Sequence, residues 1–317
     1  MKEVKNVMVK SVTLAVGLLF GLMRLGAQEQ GRFNQFMQQG KFEDARGVLE
    51  AWQRREPNNI ELLVAWADYY SLRSAAFVMV LVDRPNLKGP YLVVYEDDEK
   101  TIIKGWAWER LLYRRSDVVE AVNYLTRALS LNPRRLDIHF KRIYLWQEIG
   151  DYRAMAEAFK DALQIAHQYH FDFVWSNNLP PPQNDLRRLF FQTIADYYDV
   201  WYTTINPVGL EVLLEVAEIQ TRLFPDYPHG WNMYSLGLIK QKKDAKALQV
   251  LEFALSLFPE DAILRSNYAL TLWQMGRLED AKEEYQLLLG NPEMDQDELK
   301  NNLRVIDNLL AERRNRL

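Results

Sequence analysis

The 317-residue chain carries 39 basic and 43 acidic residues and no cysteine, which excludes a disulfide framework, a thiolate metal site and a cysteine nucleophile. Its 48% hydrophobic content is enough for a large core, and 26% charge is ordinary for a soluble chain. An acidic chain without a basic block is a poor match for a phosphate backbone, so nucleic acid is not an expected partner.

Lys2, Lys5 and Lys10 open the chain, an apolar run follows from Val12 to Met23, and Leu25, Gly26 and Ala27 close it. Basic, apolar, then small is the order of a secretory signal peptide. The run has 12 residues, against about 20 for a helix that spans a bilayer. Residues 1–27 are therefore expected to be a signal peptide cleaved after Ala27, with retention as an anchor as the alternative. Four of the 39 basic and one of the 43 acidic residues lie in this segment, so the remainder has a net charge of −7.

Residues 28–168 read as helix pairs. Glu29 to Asn58 holds Gly40, Phe42, Ala45 and Pro57: a helix, a glycine turn, a second helix and a proline stop. Ile60 to Arg73 reads as another first helix, and Asp117 to Leu131 as its second, with Ala121 and Ala128 at packing positions. Between them, Phe77 to Asp83, Tyr91 to Tyr95 and Thr101 to Lys104 are β-branched and aromatic runs. Pro85, Gly89 and the acidic turn Glu96 to Glu99 separate these runs. A small antiparallel sheet inserted over residues 77–104 is expected, followed by a short helix carrying Trp106 and Trp108. Leu136 to His167 holds a further pair around Gly150.

Residues 169–184 break the pattern with Trp175 and with Pro180, Pro181 and Pro182, which force an extended stretch. Residues 185–294 resume it. Helices are expected over 185–204 and 208–224, and then two stretches align 34 residues apart: Tyr234 with Tyr268, Leu236 with Leu270, Ala247 with Ala281, and Pro225 with Pro259. A fixed period of this size marks a solenoid, because one helix pair cannot bury its apolar face alone. Residues 295–317 read as an amphipathic cap, giving six helix pairs plus a final helix.

The segment WQMGRLEDAKEEY around Gly276 and Ala281 closely resembles the tetratricopeptide (TPR) consensus, and the likeness extends over most of residues 29–313. The layout, together with WSNNLPPPQND, resembles exported TPR proteins of Bacteroidetes envelopes. That resemblance implies an all-α superhelical solenoid with an inserted sheet. It also implies a periplasmic location, and protein partners drawn from envelope or secretion components. In such a stack the first helices line a concave side where extended peptides bind. The repeat register puts Asn34, Gln38, Asp68, Asn232, Ser266, Trp273 and Gln274 on or near that side, and Trp175 is the candidate in the proline loop. The lysine–asparagine clamp of heat-shock co-chaperones, with its lysine four residues before an asparagine, is not matched: Pro228 and Ile263 stand four residues before Asn232 and Asn267.

No nucleophile elbow, phosphate-binding loop or dinucleotide fingerprint occurs. His167 and His170, with Asp172, have the spacing of a metal pair only if a helix runs through them, and no third strong ligand accompanies them. Asp295 and Asp297 read as helix caps. No cofactor and no metal are expected. Tyr197, Tyr198, Trp201 and Tyr202 read mostly as core between helices. A non-catalytic protein–protein scaffold is therefore the leading expectation. A glycan or small-ligand module using the aromatic cluster and the proline loop is the alternative.

Overall fold

The computed structural model describes residues 28–82, 92–96, 102–179, 185–203 and 207–315. The expected signal segment, most of the acidic turn and the three consecutive prolines lie outside these residues. Among the described residues there are thirteen α-helices and one three-stranded sheet. The chain divides into two compact units. The first runs up to Asp151 and also takes in Trp175–Leu179, and the second contains the rest.

In the first unit, α1 (Gln28–Gln38) and α2 (Phe42–Arg55) pair, followed by α3 (Ile60–Ser74), the sheet, α4 (Arg115–Leu131) and α5 (Leu136–Glu148). Helix α3 is apolar on two sides. Leu62, Ala65, Trp66 and Tyr69 pack with Phe33, Leu49 and Trp52 of α1 and α2. Leu63 and Ala67 pack with Val118, Ala121 and Leu125 of α4. The buried alanines Ala45, Ala67, Ala121 and Ala128 let the helix backbones approach closely, and the larger side chains fill the space between. Asn59 starts α3: its side chain accepts from the backbone N–H of Glu61 at 2.9 Å and of Leu62 at 3.2 Å.

The sheet follows α3 directly. Strands β1 (Ala76–Val82), β2 (Leu92–Tyr95) and β3 (Ile103–Leu112) lie in the order β1-β3-β2, all antiparallel. This corrects the expected helix at Trp106 and Trp108 and extends the insertion past residue 104. Both tryptophans lie on β3, where Trp108 opposes Val80 and Trp106 opposes Val82. Ala107, Glu109, Arg110 and Leu111 have good local helix propensity. Pairing with all seven residues of β1 overrides it.

The second unit contains α6 (Tyr152–Gln168), α7 (Leu186–Thr203), α8 (Pro207–Leu223), α9 (Pro228–Lys240), α10 (Asp244–Leu257), α11 (Ala262–Gln274), α12 (Leu278–Leu287) and α13 (Gln296–Asn315). Its aromatic core joins Phe159 of α6 to Tyr197 and Trp201 of α7, with ring centroids 5.0 and 5.1 Å apart. Tyr198 donates from its hydroxyl to Gln220 Oε1 of α8 at 2.6 Å. Toward the C-terminus, Ala269, Leu272, Ala281 and Tyr285 pack against Leu299, Ile306 and Leu310 of α13. Asp295 caps α13 by accepting from Asp297 N–H at 3.0 Å and Glu298 N–H at 3.1 Å.

Four of the described helix-to-helix turns share one construction. Gly40, Gly150 and Gly276 have φ of 68°, 68° and 76°, and each N–H donates to a carbonyl three residues back. The following residue donates to the carbonyl five back, as Arg277 does to Leu272 at 3.0 Å. Between α9 and α10 the same place is held by Lys242, at φ 58°.

Candidate functional site

The first helices carry the candidate partner-binding residues. Within the second unit, α9 and α11 are successive first helices. Asn267 Nδ2 of α11 donates to Asn232 Oδ1 of α9, a bridge that fixes two half-buried carboxamides side by side. The bridge uses one donor of Asn267 and one acceptor of Asn232. Asn232 Nδ2 and Asn267 Oδ1 are left, with no bond to another side chain or backbone group among the described residues. A donor and an acceptor held together in this way match the C=O and N–H of a peptide backbone.

Ser266, Asn267, Leu270, Trp273 and Gln274 recur at three- and four-residue spacing, so they share one face of α11. Trp273 is half-buried and packs edge-on against Tyr285 at 6.5 Å, and Gln274 is exposed. At the end of α9, the Lys240 ammonium lies 4.3 Å from the Tyr202 ring centroid and donates to the Tyr202 carbonyl.

In the first unit, Asn34 on α1 is half-buried and Gln38 is exposed. Asp68 on α3 is committed, because Lys141 of α5 donates to its carboxylate. Desolvation takes the Lys141 amine down to about 7, and the Asp68 carboxylate in contact with it acts in the opposite direction. Sequence reasoning missed Lys141, which lies 73 residues from Asp68.

Trp175 is half-buried, and its N–H donates to the Leu179 carbonyl at 2.6 Å. The residues after it form a short 3-10 turn, Ser176–Asn178. The Asn177 N–H donates to Glu61 Oε1 at 2.7 Å, and Ser176 Oγ to Glu61 Oε2 at 3.4 Å. Arg135, 1% exposed, donates to the same carboxylate at 2.6 Å and to Asp137 at 2.8 Å. Burial opposes the charge on Arg135, and the two carboxylates more than offset it, so its pKa rises. The turn is therefore held by a buried charged network.

His167 and His170 do not share a helix face, since α6 ends at Gln168 and His170 takes φ 50°. They line a cleft of about 290 Å³ with Phe171, Arg187, Phe224 and Asp226. Arg187 there is paired with Asp226 at 2.8 Å. Among the described residues, no three histidines and carboxylates are arranged around a metal position. In the aromatic cluster on α7, Tyr198 and Trp201 are fully buried, so neither can stack on a sugar ring without opening the core, while Tyr197 and Tyr202 are half-buried.

Residues 238–300, from the end of α9 into α13, match the family model of the tetratricopeptide repeat. Among solved structures, the chain is similar to the assembly chaperone of RpL4, at 16% identity over 91% of this chain and 98% of that one, with a TM-score of 0.39. It is also similar to a thermophilic TPR protein of Thermus thermophilus, at 19% identity over 60% and 91%, with a TM-score of 0.34. A TPR protein of Parabacteroides merdae is 14% identical over 88% and 97%, with a TM-score of 0.27. No curated protein matches. Residues 238–300 are thus of the TPR type, and the described residues before them are also arranged as successive helix pairs.

Proposed function

We propose that this protein is a non-catalytic scaffold of the cell envelope that binds an extended segment of a partner protein along its first-helix surfaces. The observation that carries the reading is the Asn232–Asn267 bridge. It presents one donor and one acceptor to a peptide backbone, and Trp273 and Leu270 offer apolar contact on the same strip. Backbone recognition of this kind tolerates varied side chains, and neighbouring residues set the preference. Asn34 and Gln38 offer the corresponding amides in the first unit. The tightly anchored Trp175–Leu179 turn is a rigid feature beside which partner specificity develops.

The location rests on the basic-apolar-small order of residues 1–27. Intact mass of protein recovered from the envelope fraction tests it, and the expected first residue is Gln28. Recovery of the full-length chain from the cytosol contradicts it.

The binding site is tested with a displayed library of extended peptides. Selected peptides are expected to bind the full chain, and the Asn232→Ala/Asn267→Ala double variant is expected to weaken them at least about tenfold, the equivalent of about 1.4 kcal/mol. Undiminished binding by that variant, or by Trp273→Ala, places the peptide elsewhere.

A further inference from the structure

The inserted sheet has two edges, and they are built differently. Strand β2 is four residues long, and its pairing slips at Val94 and Tyr95. Short length and an irregular register are standard protections of a sheet edge. Strand β1 has none of these protections. Its seven residues, Ala-Phe-Val-Met-Val-Leu-Val, contain no charge, proline or glycine, and its register against β3 is unbroken. Every second residue of an edge strand directs its N–H and C=O away from the sheet. Among the described residues, nothing outside the sheet hydrogen-bonds to the backbone of β1.

Its side chains are open as well. Phe77, Met79 and Leu81 point to one face of the sheet and are 70%, 57% and 50% exposed. Leu92, next to them across β3, is 65% exposed. An uncharged, apolar edge of this length is a template for another strand.

We propose that β1 pairs antiparallel with β1 of a second copy of this chain. The strand is its own complement. An antiparallel pair centred on Met79 sets Met79 against Met79, Val78 against Val80, Phe77 against Leu81, and Ala76 against Val82. Every opposed pair is apolar and no like charges meet. Phe77, Met79 and Leu81 of both copies form one continuous apolar stripe across a six-stranded sheet. A two-fold axis through Met79 closes the assembly at two chains, because each β1 has one edge that is unpaired among the described residues. A strand of seven residues spans about 23 Å, so the contact is small beside a standard interface of about 1,600 Å². Dimerisation is therefore expected to depend on concentration.

The absence of cysteine from the chain makes a direct test available. Residues directly opposed in an antiparallel pair have Cα atoms about 4.5–5.5 Å apart, within the range a disulfide bridges. Full-length Met79→Cys is expected to form a covalent dimer under mild oxidation with diamide, whereas Leu92→Cys, away from the axis, is expected to stay monomeric. Light scattering across a concentration series reads the uncrosslinked chain. The natural protein is expected to dimerise, Met79→Lys and Met79→Glu each to lose the dimer, and an equimolar mixture of the two to recover it as a heterodimer. A natural protein that stays monomeric at its highest soluble concentration overturns the proposal; so does a dimer that Met79→Lys leaves intact, or a Met79→Cys chain that does not crosslink. Each of these outcomes is independent of peptide binding at Asn232 and Asn267.

Discussion

Lys242 and Gly276 occupy equivalent turns 34 residues apart with nearly the same backbone, φ 58° and 76°. A side chain in this conformation costs about 1 kcal/mol that glycine avoids. Lys242→Gly is expected to stabilise the chain by about 1 kcal/mol and Gly276→Ala to destabilise it by a similar amount, read as opposite shifts in urea midpoint. The spacing alone marks Lys242 as the exception among the turns. Its left-handed backbone becomes visible only when Lys242 donates to Ile239 and Lys243 to Leu238, closing the turn as the glycines do.

The Asp68–Lys141 pair carries a pH prediction. Burial holds the folded Lys141 amine at about 7, while the unfolded chain keeps the ordinary 10.5. Between these values the unfolded state binds the extra proton, so stability rises with pH. The urea midpoint of the natural protein is expected to climb from about pH 7 to about pH 10 more steeply than that of Lys141→Met. Equal slopes contradict this account of the pair. The repeat register places Asp68 on a first-helix surface, but it carries no sign that a lysine on the next first helix has already claimed the carboxylate.

At the scale of elements, the turn at Ser176–Asn178 depends on one carboxylate. Glu61→Ala removes the acceptor of the Asn177 N–H and one of the two carboxylates on buried Arg135. The expected cost is about 2 kcal/mol. The sharper readout is the Asn177 amide, whose hydrogen exchange is expected to accelerate while amides within α3 stay protected. An unchanged Asn177 rate contradicts the anchoring role.

The helices were legible because their signals are local: apolar positions at helical spacing, glycine turns, prolines and a cap such as Asp295. Strand β3 was only partly so. Trp106 and Trp108 sit among good helix formers, and what makes them a strand is β1, whose Val82 and Val80 oppose them from 24 and 28 residues earlier. The Asn232–Asn267 bridge was half legible. Both residues stand on first helices, but 35 residues apart rather than 34, and whether their side chains meet depends on the rotation of α9 against α11.

At the scale of the molecule, the repeated helix pair supplies first-helix surfaces, and two insertions interrupt it. The sheet leaves an apolar edge on β1, and the loop after α6 is pinned to Glu61. Tyr198 and Trp201 were expected mostly as core and are fully buried, which leaves the amide strip of α9 and α11 as the better candidate for recognition. This strip is the proposed site for the backbone of an extended peptide. Isothermal titration of a library-selected peptide into the full chain and into Asn232→Ala/Asn267→Ala tests it most directly. A dissociation constant at least about tenfold weaker in the variant, a loss of about 1.4 kcal/mol, with an unchanged urea midpoint, is the predicted result. Equal affinity for both chains would contradict it.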